Sequence, residues 1–173
     1  MTPKPSSESA TEMVQVVLPN DANPLGFILG GTVMHLIDIA GAIACHRHSR
    51  SRVVTAAVDD LVFLHPIKVG DFIILNAHVT CTFTTSMEVQ VDVFSEEALT
   101  GTRQLTSRAF LTFVAIGADG ERVAVPPLRV ESAEEERVCF EAGHGARSAC
   151  GVVRRCNKPG GRDGSGRSGS QDG

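Results

Sequence analysis

Gly30-Gly31-Thr32-Val33-Met34-His35-Leu36-Ile37-Asp38-Ile39-Ala40-Gly41-Ala42-Ile43-Ala44-Cys45-His46 decides how this chain folds. The stretch reads as one helix entered through a glycine pair. Its apolar residues cover every side, and a helix apolar all round is buried rather than laid on a surface. It is too short and too interrupted for a membrane span. Asp38 stands in its middle as one carboxylate among apolar neighbours. An unpaired buried carboxylate is costly, so Asp38 is expected to have a partner, a raised pKa or a task. A buried Asp satisfied by backbone N–H groups is the competing reading, and the stretch alone does not separate them.

Outward from the helix the period changes. Upstream, Met13 to Leu18 is a short β-branched run, followed by the turn-rich Pro19-Asn20-Asp21-Ala22-Asn23-Pro24-Leu25-Gly26, a loop. Downstream, Val53 to Leu64 reads as a long strand covered on both faces. Phe72 to Phe83, Met87 to Val93 and Arg103 to Ile116 carry strand-like apolar runs, with a break at Thr84-Thr85-Ser86. A helix then follows from Glu131 to Ala142, opened by the capping pattern Ser132-Ala133-Glu134-Glu135. Residues 1–11 are expected to be disordered, residues 12–147 to form one domain, and the Gly/Ser/Arg-rich 148–173 to be a disordered tail. One apolar helix followed by a long antiparallel meander has one obvious solution, an α+β fold whose sheet curls around the helix and buries it on all sides. That is the hotdog architecture.

Composition narrows the function. The chain has 173 residues and a net charge of -4 with no basic face in its first 145 residues, which argues against nucleic acid. It has neither Trp nor Tyr to serve as base-stacking platforms. The N-terminus lacks the apolar run of a signal peptide and the Arg-rich pattern of a transit peptide. Five scattered cysteines without a Cys-x-x-Cys support neither a zinc knuckle nor a disulfide framework, so reduced thiols in a cytoplasmic protein are expected. Cys45, His46 and His48 suggest a metal, but no fourth ligand is placed, and no metal site is expected.

These residues carry a resemblance. The loop Asn20 to Gly26, then Gly30-Gly31, then Leu36-Ile37-Asp38-Ile39-Ala40-Gly41 is similar to the acyl-CoA thioesterases of the hotdog superfamily, most of all the cytosolic, brain-type hydrolases and their bacterial single-domain relatives. The likeness continues through Val53-Val54-Thr55, Phe63-Leu64-His65-Pro66, Val69-Gly70-Asp71, Thr85-Ser86-Met87-Glu88-Val89 and Leu99-Thr100-Gly101. It reaches Phe140-Glu141-Ala142-Gly143 and covers roughly residues 13–147. The animal members carry two such domains in tandem, and this chain has one.

The resemblance implies hydrolysis of acyl-CoA to fatty acid and free CoA, without metal or redox cofactor. It makes Asn23 and Asp38 the catalytic pair, and it places CoA contacts near Thr85 and Ser86. The chemistry agrees. Thioester hydrolysis needs an oxyanion site, a placed water or nucleophile, and a base. The Gly30-Gly31-Thr32 helix start offers backbone N–H groups at a positive dipole end, with Gly31 as the oxyanion donor. Asp38 is the base or nucleophile, and Asn23 orients water or the thioester. Phe63 lines the acyl tunnel or is plain core. Arg108 is a weak candidate for CoA phosphates beside the reading of an exposed sheet face. Gly31 and Asp38 lie seven residues apart on one helix, about 10 Å, too far to serve one carbonyl. A composite site in a two-fold double-hotdog dimer is therefore expected, with Asn23 and Gly31 from one subunit and Asp38 from the other. The family also assembles such dimers into trimers of dimers. Two other functions are kept open, a hotdog enoyl-CoA hydratase or dehydratase and a non-catalytic acyl-CoA sensor. The first is disfavoured because the Pro19 to Leu29 loop has no His, the second because Asn23 and Asp38 are both present.

Overall fold

The protein's structure, a computed structural model, describes residues 1–142. The tail 148–173 lies outside them, as do Cys150 and Cys156. Strand β1 is Lys4–Pro5 and β2 is Thr11–Val16; helix α1 is Gly30–Ser49. Strands β3 (Arg52–Phe63), β4 (Phe72–Thr82), β5 (Ser86–Glu96) and β6 (Arg103–Ile116) follow, then β7 (Leu128–Arg129). A second helix, α2, runs over 133–142. The main sheet is antiparallel in the order β2-β4-β5-β6-β3. It is the hotdog architecture, but not the single meander that the sequence suggests: only β4, β5 and β6 are neighbours in chain order, β3 crosses to the far edge beside β6, and β2 takes the place beside β4.

α1 does not disappear into the sheet as its sequence suggests. Val33, Leu36, Ile37, Ala40, Gly41, Ala44, Cys45 and His48 face the concave sheet and are buried. There they meet a core that includes Leu75, Val89, Val91 and Phe113. Met34 and His35 on the other face are exposed, and Asp38, Ile39, Ala42 and Ile43 are half-buried. The sheet is one layer thick and covers one side of the helix only. β3 likewise is not covered on both faces. It is an edge strand, paired only to β6, with Val54, Val58 and Val62 each about half exposed.

The closest packing on the inner face is at Gly41. A Cβ there would stand 2.9 Å from Phe113 Cε2, and Phe113 is only 1 % exposed. Glycine at this position lets helix and sheet approach.

The first eleven residues are ordered, contrary to their polar composition. Lys4 and Pro5 pair in parallel with Leu128 and Arg129. Lys4 Nζ donates to the carbonyl of His48 at 2.8 Å, near the end of α1. Ser6 Oγ donates to Val79 O, and Ser9 Oγ, fully buried, accepts from Val79 N–H. The segment straps the helix C-terminus to β4 through hydrogen bonds that no local periodicity signals.

The cysteines also depart from expectation. Cys81 on β4 and Cys139 on α2 are joined in a disulfide across 58 residues. Cys45 is free and buried, and burial pushes its thiol far above the usual thiol range. The break at Thr84-Thr85-Ser86 is a turn. Phe83, Thr84 and Thr85 form the hairpin turn between β4 and β5, closed by Phe83 N–H on Ser86 O at 2.8 Å. The irregularity in β4 lies at Thr80, between the paired Val79 and Cys81. On the outer face of the sheet Thr80 donates to Glu88 at 2.7 Å and Thr112 to Asp59 at 2.9 Å. Glu88 is 5 % exposed. Burial holds its carboxyl above the usual range; the Thr80 hydroxyl opposes that and Asp59 reinforces it.

Two outcomes follow from this packing. Gly41→Ala is expected to lower stability by about 1–3 kcal/mol in denaturant unfolding, because Phe113 has nowhere to go. Glu88→Gln keeps the acceptor for Thr80 and removes the ionisation. With the folded-state pKa raised, the unfolded chain releases this proton first, so the cost to stability appears as pH rises through the ordinary carboxylate range. The variant is therefore expected to melt above the parent at neutral pH, with the gap closing under acid conditions.

Candidate active site

Asn23 sits in the loop between β2 and α1, and its side chain builds that loop. Its Oδ1 accepts from Leu25 N–H at 3.0 Å and Phe27 N–H at 3.3 Å. Its own N–H donates to Phe27 O, and Gly26 N–H donates to Asn23 O. Gly26 has φ +80, a conformation glycine adopts without strain. With Oδ1 committed to the backbone, the Nδ2 amide is left to donate outward. Of the two ends of the Asn23 amide, Oδ1 serves the loop and Nδ2 is the end able to donate to a ligand. Asp21 is a turn former, as expected, taking Leu18 N–H at 3.3 Å.

The loop delivers the chain to α1 with Leu29 as N-cap and no side-chain cap. The first intrahelical acceptor bond is Val33 N–H to Leu29 O at 3.1 Å. The N–H groups of Gly30, Gly31 and Thr32 are thus uncapped at the positive end of the helix dipole. A Cβ on Gly31 would meet nothing within 4 Å, and one on Gly30 would meet Phe63 Cζ at 3.7 Å. The space over Gly31 is open to a ligand. Beside it is a cleft of about 360 Å³ lined by residues that include Ile28, Gly30, Val33, Phe63, Leu64 and Ile67. Phe63 is half exposed on its rim, so it is cleft wall rather than core.

Asp38 lies two turns further along α1. It is half-buried, and Thr55 Oγ1 on β3 donates to its Oδ1 at 2.5 Å. That partner lifts the isolation its sequence context implied. Thr55 belonged to the matched stretches but carried no signal of its own; only the β3 register places it against α1. His35 is exposed on the outer face.

Within one chain these residues form two groups. Phe63 pairs with Ser107, whereas Ser86 and Val54, the neighbour of Thr55, both pair with Val114. Seven residues of β6 separate the two rows, roughly 23 Å. Asn23, Gly30, Gly31, Thr32 and Phe63 stand at one end of the sheet. Asp38, Thr55, Thr85 and Ser86 stand toward the other. Thr85 O accepts from Ala115 N–H, so its backbone is used by the fold. Arg108 is paired with Asp92 at 2.6 Å on the sheet face and is part of that surface rather than of either group. Among the described residues no cluster of three or more His, Cys, Asp or Glu is arranged to hold a metal ion. No helix there is long and apolar enough to cross a membrane.

The sequence model of the Thioesterase superfamily matches residues 25–102. The acyl-CoA thioester hydrolase YkhA of Bacillus subtilis is 41% identical over 128 residues, 74% of each chain. The cytosolic acyl coenzyme A thioester hydrolase of Mus musculus is 38% identical over 75% of this chain, and the match spans 37% of that longer relative. Among solved structures, a hexameric acyl-CoA thioesterase superposes with TM-score 0.81 at 38% identity, covering 88% of this chain and 98% of its own. An acyl-CoA hydrolase of Staphylococcus aureus, solved with butyryl coenzyme A and coenzyme A, superposes at 0.78 with 33% identity, over 88% of this chain and 94% of its own. That enzyme has also been solved with an Asn, an Asp and a Thr each replaced by Ala. Their spacings, 15 and 17 residues, are those of Asn23, Asp38 and Thr55 here.

The loop-building role of Asn23 is tested by substitution. Asn23→Ala leaves two backbone donors without their acceptor and is expected to cost about 0.5–1 kcal/mol in stability. Asn23→Asp retains the acceptor and is expected to melt with the parent; equal melting of both variants would contradict the loop-building role.

Proposed function

The chain belongs to the thioesterase superfamily as an acyl-CoA thioester hydrolase, and from that premise we propose that its active site is assembled from the two residue groups of two antiparallel copies. The observation that carries this is the separation of the groups. The oxyanion donors and the carboxylate are about 10 Å apart along one helix, and the outer half of each group is on opposite ends of the sheet. A two-fold axis beside α1 brings one copy's Gly31 end to the other copy's Asp38 end. The surface that this axis needs is the uncovered side of α1, with exposed Met34, and the unpaired β3 edge with Val54, Val58 and Val62. A 12-residue edge strand with Val54, Val58 and Val62 about half exposed is a pairing surface unless something covers it. Such dimers form the repeating unit of a larger assembly, in keeping with the hexameric neighbour.

In this site the thioester carbonyl receives hydrogen bonds from Gly31 N–H and from Asn23 Nδ2. These donors point at the oxygen where charge develops during attack, so they favour the tetrahedral intermediate over the ground state. Gly30 and Thr32 complete the helix end, and Phe63 walls the cleft that takes the acyl chain. Asp38 comes from the other copy. Thr55 holds its Oδ1, leaving Oδ2 to take the proton of a water or to add to the thioester carbon itself. Single-turnover hydrolysis in heavy-oxygen water separates these, with label in the first acid released for water attack and in Asp38 for direct addition. The thiolate leaves as CoA, whose pantetheine arm runs past Thr85 and Ser86. Carbonyl polarisation, base and water are all supplied without a metal or redox cofactor. The protein works in the cytoplasm, in keeping with its cytosolic relative.

Thiol release across an acyl-CoA panel tests the activity. Asp38→Asn is expected to lower kcat by about 10²–10⁴-fold, and Asn23→Asp by about 10²-fold without loss of fold. Thr55→Val is expected to lower kcat with KM little changed, because it frees Asp38 without touching the acyl cleft. When inactive Asp38→Ala and Asn23→Ala chains are unfolded together and reassembled, random pairing makes half the dimers mixed, each with one intact site. About a quarter of the parent activity is expected; no recovery would show that each site lies within one chain.

A further inference from the structure

α2 lies against the outer face of the sheet, on the side opposite α1, and its first turns are tied by local bonds. Ser132 Oγ accepts from Glu135 N–H, Glu135 Oε2 accepts from Glu131 N–H, and Arg137 pairs with Glu134. Its apolar contact is slight: Val138 is half-buried and Ala142 is buried. The covalent tie to the sheet is Cys139 to Cys81. Between α2, β4, β5 and the N-terminal strap lies a cavity of about 190 Å³ whose lining includes Ser6, His78, Thr80, Gln90, Glu135 and Val138. His78 on its floor is half-buried, and burial keeps its imidazole neutral to lower pH than usual.

We propose that the Cys81–Cys139 bond is a redox clamp, which when oxidised pins α2 over the cavity at His78 and when reduced releases the helix and opens the cavity. The two sulfurs are unequally exposed. Cys81 is 3% accessible, and Cys139 is half-buried at the helix surface. An incoming thiolate therefore attacks the Cys139 sulfur, and Cys81 leaves as the thiolate and takes a proton. A second thiol attacks the resulting mixed disulfide. In sum, two molecules of a low-molecular-weight thiol are oxidised to one disulfide, and Cys81 and Cys139 are each reduced to a thiol. In a thiol-rich compartment a disulfide is a transient or sensing element rather than a permanent staple, and here it closes on a helix most of whose residues are exposed. The proposal goes beyond the hydrolytic activity, whose residues are carried by other elements.

The test uses the full chain, treated with glutathione disulfide, then alkylated and mapped without reduction. A linked peptide pair containing Cys81 and Cys139 is expected. Treatment with dithiothreitol is then expected to speed tryptic cleavage after Arg137 about tenfold, because a released helix exposes its backbone, and to raise modification of His78 by diethyl pyrocarbonate. Cys139→Ser should show the fast cleavage with or without dithiothreitol. Acyl-CoA hydrolysis serves as the control for folding throughout. A map that joins Cys81 to Cys150 or Cys156, or finds both Cys81 and Cys139 alkylated, overturns the clamp. So does a cleavage rate at Arg137 that is the same in both redox states.

Discussion

Everything in this protein is referred to the contact between one face of α1 and the concave sheet. Val33, Leu36, Ile37, Ala40, Ala44 and Cys45 are buried in that contact. Each large apolar side chain fully buried there contributes about 1.5–3 kcal/mol. Gly41 against Phe113 sets how close the two layers come. The same contact fixes the direction of the helix, and so points its uncapped N–H groups at the Phe63 cleft and sets Asp38 beside Thr55. It also decides what is left uncovered. A single curved sheet covers one side of a helix, and the remaining apolar side, with Met34, Ile39, Ala42 and Ile43, is left exposed or half-buried.

The architecture was legible because its parts have strong local periods. The glycine pair opens α1 where the helix begins, and the β3 to β6 strands follow the apolar runs to within a few residues. The candidate site was named from the sequence for a different reason. Asn23, Gly31 and Asp38 stand out through a family resemblance and through the demands of thioester chemistry, not through any period. What stayed hidden depends on residues far apart in sequence. Thr55 is an ordinary strand threonine until the β3 register puts it against α1. Lys4, Ser6 and Ser9 look like a loose polar end, but their partners are His48 and Val79. Cys81 and Cys139 show no spacing that marks a pair.

The largest departure concerns the helix itself. An apolar helix reads the same whether a sheet or a second molecule covers it. Hydropathy reports that water is excluded, and it is silent on what excludes it. The valines of β3 carry the same ambiguity, since a strand apolar on both faces looks central until its place at the sheet edge is known. Asp38 shows the other side of this. A carboxylate that looks stranded in a core is, in the structure, half-buried and hydrogen-bonded to Thr55.

Under the proposed two-copy site, activity becomes a property of concentration as well as of sequence. A dilute chain would carry both half-sites and join neither, so the rate per molecule would fall as the assembly dissociated. A cell would then set hydrolytic capacity more steeply than in proportion to the amount of protein it makes, without an effector. The same division would ease the path to a longer polypeptide. Were two copies fused head to tail, each repeat would be free to lose one half-site while the pair kept a working one, and the dependence on concentration would disappear with the linker.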